Sequence, residues 1–105
     1  MRTHLRCFLE YLRLNRNLSA RTVRAYESDL RQFLRFLESH LDRPADRIDP
    51  REVDHYAIRA FMGELYERGQ ARASSARRLA AIRSFGRYLR REQHIDREPG
   101  KDCES

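Results

Sequence analysis

The chain has 105 residues, of which 22 are basic and 16 are acidic, and its formal net charge is +6. This length favours one domain with one core. Because 36% of the residues are charged, we expect that core to be small. No apolar run approaches the roughly 18 residues of a transmembrane helix, and the N-terminal MRTHLRCFLEYLR is too charged for a secretory signal. We therefore predict no membrane association and a cytoplasmic location.

All but one of the basic residues are arginine. The planar guanidinium of arginine forms paired hydrogen bonds to phosphate and to guanine edges, so this composition suits a nucleic acid. A bias towards arginine codons would produce the same count, and composition alone leaves both explanations open.

A first amphipathic helix is predicted from Thr3 to Leu14, and Asn15–Asn17 end it. Its apolar residues recur at the spacing of one helix face: Leu5, Phe8, Leu9 and Leu12. Cys7 and Cys103 lie near opposite ends of the chain and form no CxxC motif. We predict two reduced thiols rather than a disulfide or a zinc site.

The stretch from Leu18 to His40 is predicted to form a long second helix with two different faces. Ser19 is its expected N-cap, and Leu18 and Val23 are spaced as a hydrophobic staple. An arc of roughly 100° is apolar: Val23, Tyr26, Leu30, Phe33, Leu34 and Leu37. Nearly opposite lies a surface without acids, which we call the cationic ridge: Arg21, Arg24, Ser28, Arg31 and Arg35. A ridge of one charge sign suits a polyanion, whereas a merely soluble face usually mixes its charges.

A third helix is predicted from Pro50 to about Arg68. Asp49 and Glu52 have the spacing of a capping box, Pro50 suits the first helical position, and Gly69 supplies a left-handed stop. The predicted buried stripe contains Val53, Ala57, Ile58, Phe61, Met62 and Leu65.

A fourth helix is predicted from about Ser74 to Arg91, with Leu79, Ile82, Phe85 and Leu89 on its core face. Arg83, Arg87 and Arg90 project on another side, and Arg72 joins them if the helix starts early. A third side is lined by small residues around Arg77: Ala73, Ser74, Ala80, Ala81 and Ser84. Small side chains allow close packing against another helix or close approach to a DNA groove, and periodicity alone favours the former.

No alternating β pattern occurs, so we predict an all-α fold with four main helices and leave open a short fifth element near Ile95. Regular structure is expected to end at Glu98-Pro99-Gly100. The expected domain covers residues 1–98, and residues 99–105 are expected to begin a linker.

Two motifs, LSARTVRAYESDLRQFLRFL at Leu18–Leu37 and SSARRLAAIRSFGRYL at Ser74–Leu89, occur in this order around the capped third helix. With Ile95 and Glu98-Pro99 after them, they resemble the N-terminal core-binding domain of tyrosine recombinases of the Xer and phage-integrase group. Departures are Gly86 in place of a second aromatic, Ala71 in place of a serine cap, and Glu98 in place of asparagine.

The resemblance implies a SAM-like helical bundle that forms one half of a C-shaped clamp around double-stranded DNA. Its second and fourth helices would cross adjacent grooves and position a recombination site. A separate catalytic domain would carry an Arg/His/Arg cluster and a tyrosine nucleophile, and four protomers would exchange strands without a cofactor. The resemblance thus predicts a fragment of a longer recombinase that is not an enzyme by itself and is monomeric in isolation.

By position, the family's DNA contacts fall on Arg21, Thr22, Arg24, Ser28 and Arg31 of the second helix and on Ser74, Arg77 and Ser84 of the fourth. This set overlaps the ridge found from periodicity. Arg78 is left open between a buried structural arginine and a DNA contact. The complete predicted DNA-binding set is Arg21, Thr22, Arg24, Ser28, Arg31, Arg35, Arg72, Ser74, Arg77, Arg78, Arg83, Ser84 and Arg87.

Other chemistry has little support in the sequence. None of the five tyrosines has the cluster of donors that a nucleophile acting on phosphate needs, so we predict no catalytic residue. The four histidines lack metal-ligand spacing, so we predict no metal site. Arg90-Arg91 is interpreted as a solvated helix end. The alternative to DNA binding is a helical protein-interaction module that mediates protomer contacts.

Overall fold

The computed structural model describes residues 1–69 and 72–94, with the side chains of residues 72–74 and 93–94 excepted. Four α-helices make up most of this part: α1 (Arg2–Leu14), α2 (Ala20–Leu41), α3 (His55–Glu67) and α4 (Arg72–His94). Two 3-10 helices, Ala45–Arg47 and Pro50–Glu52, lie between α2 and α3. The described residues contain no strand, and the predicted all-α fold is confirmed.

The core forms where α1, α2 and α4 pack together. Phe8 of α1 lies against Phe85 of α4 with ring centroids 5.3 Å apart. Phe61 of α3 lies against Phe33 of α2 at the same distance, so α3 joins the core through an aromatic contact. The core-facing residues of α2 are fully or nearly fully buried, as their period predicts: Leu30, Phe33, Leu34 and Leu37.

The start of α2 confirms the predicted cap. The Ser19 hydroxyl oxygen accepts a hydrogen bond from the Thr22 backbone N–H at 3.2 Å and also donates to the Thr22 hydroxyl at 3.0 Å. No acid lies in the first turn. The N-terminal end of α2 therefore keeps its positive partial charge without a neutralising carboxylate.

The prediction of one continuous third helix from Pro50 is wrong. The capping box at Asp49 and Glu52 is present, but it caps only the short 3-10 helix Pro50–Glu52. Val53 then leaves helical geometry at φ −81° and ψ 74° and is buried. A second cap follows, in which the Asp54 carboxylate accepts a hydrogen bond from the Ala57 N–H at 2.9 Å, so α3 begins at His55.

The other predicted boundaries hold with small shifts. Gly69 has φ +72°, the left-handed conformation predicted for the stop after α3. Helix α4 begins at Arg72 and ends at His94, which makes it longer than predicted at both ends. The predictions for Ala71, Ile95, Glu98-Pro99-Gly100 and the linker fall outside the described residues.

The prediction of reduced thiols is wrong for Cys7, which is buried and disulfide-bonded. The inference rested on the absence of a CxxC motif, and a local motif does not determine whether a thiol finds a partner in the fold. Cys103, the other cysteine of the chain, lies outside the described residues.

Replacing Gly86 by alanine is expected to stabilise the domain. Gly86 lies in the interior of α4, and a Cβ there would meet only the Nη1 atom of Arg90 at 3.7 Å, an ordinary contact with a flexible side chain. Alanine is favoured over glycine in a helix interior by about 1 kcal/mol, so thermal unfolding followed by circular dichroism should show a melting temperature higher by about 4–8 °C. A lower melting temperature would contradict this reading.

Candidate nucleic-acid interface

The cationic ridge lies on the outside of α2, as the helical period predicted. Arg21, Arg24, Ser28, Arg31 and Arg35 are all exposed. Among the described residues, Arg21, Arg24 and Arg35 form no salt bridge. Their guanidinium groups are therefore free to meet an anion.

An acid, Glu27, forms an ion pair with one of the ridge arginines. The Glu27 carboxylate accepts hydrogen bonds from Nη2 and Nε of Arg31 at 2.6 and 2.9 Å. This pair, one helical turn apart, partly neutralises the C-terminal half of the ridge. Exposed pairs of this kind contribute only about 0.3–0.5 kcal/mol, so a phosphate can displace Glu27 from Arg31 at little cost.

A buried carboxylate joins α2 to α4, and the sequence pattern did not single it out. Asp29 of α2 is fully buried. Its two oxygens accept hydrogen bonds from Nε and Nη2 of Arg77 at 2.8 and 2.9 Å, and these bonds raise the pKa of Arg77 above its ordinary value. Arg78 adds a second cation, with its Nε 3.5 Å from Oδ1 of Asp29.

The two arginines differ in what they leave accessible. The Arg77 side chain is 46% exposed despite its bidentate pairing, whereas that of Arg78 is 12% exposed. The Nε of Arg78 is buried and makes no hydrogen bond. Of the two interpretations left open for Arg78, this placement favours the structural one.

The remaining predicted contacts on α4 are spread over more than one side. Arg83 and Arg87 are exposed, and Ser84 is half-buried and accepts a hydrogen bond from Nη2 of Arg87 at 3.4 Å. On the small-residue side of α4, Ala81 is fully buried in the helix packing, whereas Ala80 is exposed near Arg77. The side chains of Arg72 and Ser74 fall outside the described residues.

A further arginine cluster lies where the end of α4 meets α1. The guanidinium carbon of Arg91 lies 5.0 Å from the centre of the Tyr11 ring, and the hydrogen bond from Arg91 lowers the pKa of Tyr11 below its ordinary value. Arg16, Arg87 and Arg90 line the same open groove. Arg91 is exposed, but it packs on Tyr11 instead of extending freely as a solvated helix end.

Within residues 1–69 and 72–94, no group of histidine, cysteine and acidic side chains is arranged to hold a metal ion. No helix in that part is both long enough and apolar enough to cross a membrane.

The fold and the site together define a small all-α bundle with an arginine-rich outer face on α2 and a buried carboxylate that ties this helix to α4. The family model for the phage integrase N-terminal SAM-like domain matches residues 5–93. The chain belongs to this family, and the resemblance predicted from its two motifs is confirmed.

Curated relatives agree with this assignment. The chain is 43% identical over 99 residues to a tyrosine recombinase XerC of Pelotomaculum thermopropionicum, an alignment that covers 94% of this chain and 32% of the relative. It is 42% identical over 95 residues to the XerC of Chlorobaculum tepidum, covering 88% of this chain and 28% of the relative. The chain thus spans about a third of the length of these relatives. No solved structure gave a significant match.

Proposed function

We propose that this domain binds double-stranded DNA as one half of the clamp of a tyrosine recombinase and positions a recombination site for a separate catalytic domain. The observation that supports this most is the cationic ridge: its arginines are all exposed, and Glu27, the acid that pairs with Arg31, is displaceable. The names of the relatives, tyrosine recombinases at up to 43% identity, support the same class of activity for the whole protein.

The proposed interface uses both helices that meet at Asp29. On α2 it comprises Arg21, Thr22, Arg24, Ser28, Arg31 and Arg35, and on α4 it comprises Arg77, Arg83, Ser84 and Arg87. Arg72 and Ser74 remain predicted contacts, and Arg78 is assigned to the internal pairing with Asp29. The contacts with phosphate set the position of the domain on the duplex, while base contacts would be needed for sequence recognition. Strand exchange by four protomers without a cofactor belongs to the same proposal.

Duplex binding with strong salt dependence tests this function. Fluorescence anisotropy of a labelled short duplex of mixed sequence, titrated at a series of salt concentrations, should yield a straight line of log K against log salt. With about five phosphates neutralised, the expected slope is about −4 to −5, because each contact releases condensed counterions. A folded domain that does not bind the duplex at the lowest salt would contradict the proposal.

Replacing Glu27 by glutamine is expected to strengthen duplex binding by severalfold, because it releases Arg31 and removes one negative charge beside the ridge. Glu64→Gln is the matched control, since Glu64 makes an equivalent pair with Arg68 one turn along α3, at 3.2 Å. The same anisotropy assay checks both variants. An equal gain for the two would mean that only net charge matters and that the position of Arg31 does not.

A protein-interaction role is the second candidate, and one observation favours it. Helix α3 exposes two large aromatic side chains, Tyr56 at 76% and Tyr66 at 78%, and tyrosine is enriched at protein interfaces. Analytical ultracentrifugation of the domain in high salt, with and without Tyr56→Ser/Tyr66→Ser, tests it. Self-association that persists in salt and is lost in the variant would support this role, and a monomer at all concentrations would contradict self-association through this face.

A further inference from the structure

The salt bridge between α2 and α4 holds more positive charge than the joining of two helices requires. One buried carboxylate, Asp29, lies against two guanidinium groups, those of Arg77 and Arg78. The local balance is therefore one net positive charge. Arg78 is the partner that lies mostly inside, while Arg77 is nearly half exposed. The excess charge thus reaches the surface at Arg77.

The geometry of the pair determines which edge of Arg77 faces outward. Asp29 accepts hydrogen bonds from Nε and one Nη2 hydrogen of Arg77, so the carboxylate occupies one edge of the planar guanidinium. The other edge, formed by Nη1 and the second Nη2 hydrogen, has no protein acceptor among the described residues. A guanidinium edge of this kind matches two phosphate oxygens.

The pair lies on the side of α2 that faces α4. Asp29 follows Ser28 of the ridge directly, and the two residues are about 100° apart around α2. Ala80, one turn further along α4, is exposed and leaves the approach to Arg77 open. A phosphate bound to the outer edge of Arg77 would lie at the junction of α2 and α4.

We infer that Asp29 is a positioning residue for DNA binding: its buried carboxylate fixes the guanidinium of Arg77 so that the outer edge accepts a backbone phosphate at the junction of α2 and α4. This inference rests on the proposed function. It assigns a role in binding to an acid that does not contact DNA and whose negative charge repels the phosphate. An arginine held in place in the free protein loses less conformational freedom on binding than one that is unrestrained.

Asp29→Asn distinguishes positioning from simple charge. The variant raises the net charge by one, so charge counting alone predicts tighter binding to the duplex. Positioning predicts the opposite: affinity lower by about three- to tenfold, with the slope of log K against log salt smaller in magnitude by up to about one unit. Glu64→Gln, which removes an equivalent charge from α3, should not weaken binding.

Arg77→Lys tests the positioning role if Asp29→Asn unfolds the domain. Lysine retains the positive charge beside Asp29 but has no planar fork, so duplex affinity should fall by a similar factor in a domain that circular dichroism shows to be folded. Arg78→Gln serves as the structural control, because it removes a partner of Asp29 but keeps the outer guanidinium edge of Arg77. This variant should have a lower melting temperature and an unchanged slope of log K against log salt.

The outcomes separate this inference from the proposed function. Failure of the unaltered domain to bind the duplex contradicts both. Binding by the unaltered domain together with wild-type or higher affinity in folded Asp29→Asn or in Arg77→Lys contradicts the positioning role alone. Loss of affinity in these two variants, with an unchanged slope in Arg78→Gln, supports it.

Discussion

Replacing Asp29 by alanine is expected to lower the free energy of unfolding by about 3–5 kcal/mol, because it leaves Arg78 inside the protein without a counter-charge. A domain of this size has a total stability of only about 5–15 kcal/mol. The variant should therefore be close to unfolding at moderate temperature. Urea denaturation followed by circular dichroism measures the change.

Two companion variants make the Asp29→Ala result specific. Asp46→Ala removes a carboxylate that is 70% exposed and should cost less than about 1 kcal/mol. Adding Arg78→Met to Asp29→Ala should recover part of the loss, since the uncompensated buried cation is then gone. A loss for Asp29→Ala as small as that for Asp46→Ala would show that the buried pair contributes little.

Replacing Arg24 and Arg31 together by alanine is expected to weaken duplex binding by about 10- to 100-fold at 0.1 M salt. Each lost phosphate contact removes about 0.9 from the slope of log K against log salt, so the double variant should have a slope smaller in magnitude by about 1.8. The anisotropy salt series reports both quantities. The melting temperature should change little, because both side chains are exposed.

The matched control for this pair is Arg13→Ala/Arg59→Ala. Both control residues are exposed arginines outside the ridge, on α1 and α3, and neither has a salt-bridge partner among the described residues. The control removes the same charge but should change the slope far less, since exposed charges beyond a Debye length of about 8–10 Å are screened. Equal slopes for the two double variants would contradict the assignment of the ridge.

The features set by local periodicity could be predicted from the sequence. Apolar spacing placed Leu30, Phe33 and Leu37 inside and Arg24 and Arg31 outside, because all five lie on one regular helix whose angular positions follow from its period. The Ser19 cap was predictable for the same reason, since its partner Thr22 is three residues away.

Features that depend on contacts between distant segments could not be predicted in this way. The Asp29–Arg77 pair joins residues 48 positions apart, and nothing local marks Asp29 as different from a solvated acid except its place beside Leu30 on the helix. The start of α3 was misplaced because a capping box has the same sequence pattern before a 3-10 helix as before an α-helix. Val53 then departs from helical geometry and is buried in the core.

Chemical-shift mapping of the ¹⁵N-labelled domain on titration with a short duplex tests the two-helix interface most directly. We expect the largest shifts on the exposed face of α2 between Arg21 and Arg35 and at Arg77 of α4, with α3 nearly unchanged. Shifts confined to α3 around Tyr56 and Tyr66, with α2 unaffected, would contradict the assignment of this face to DNA.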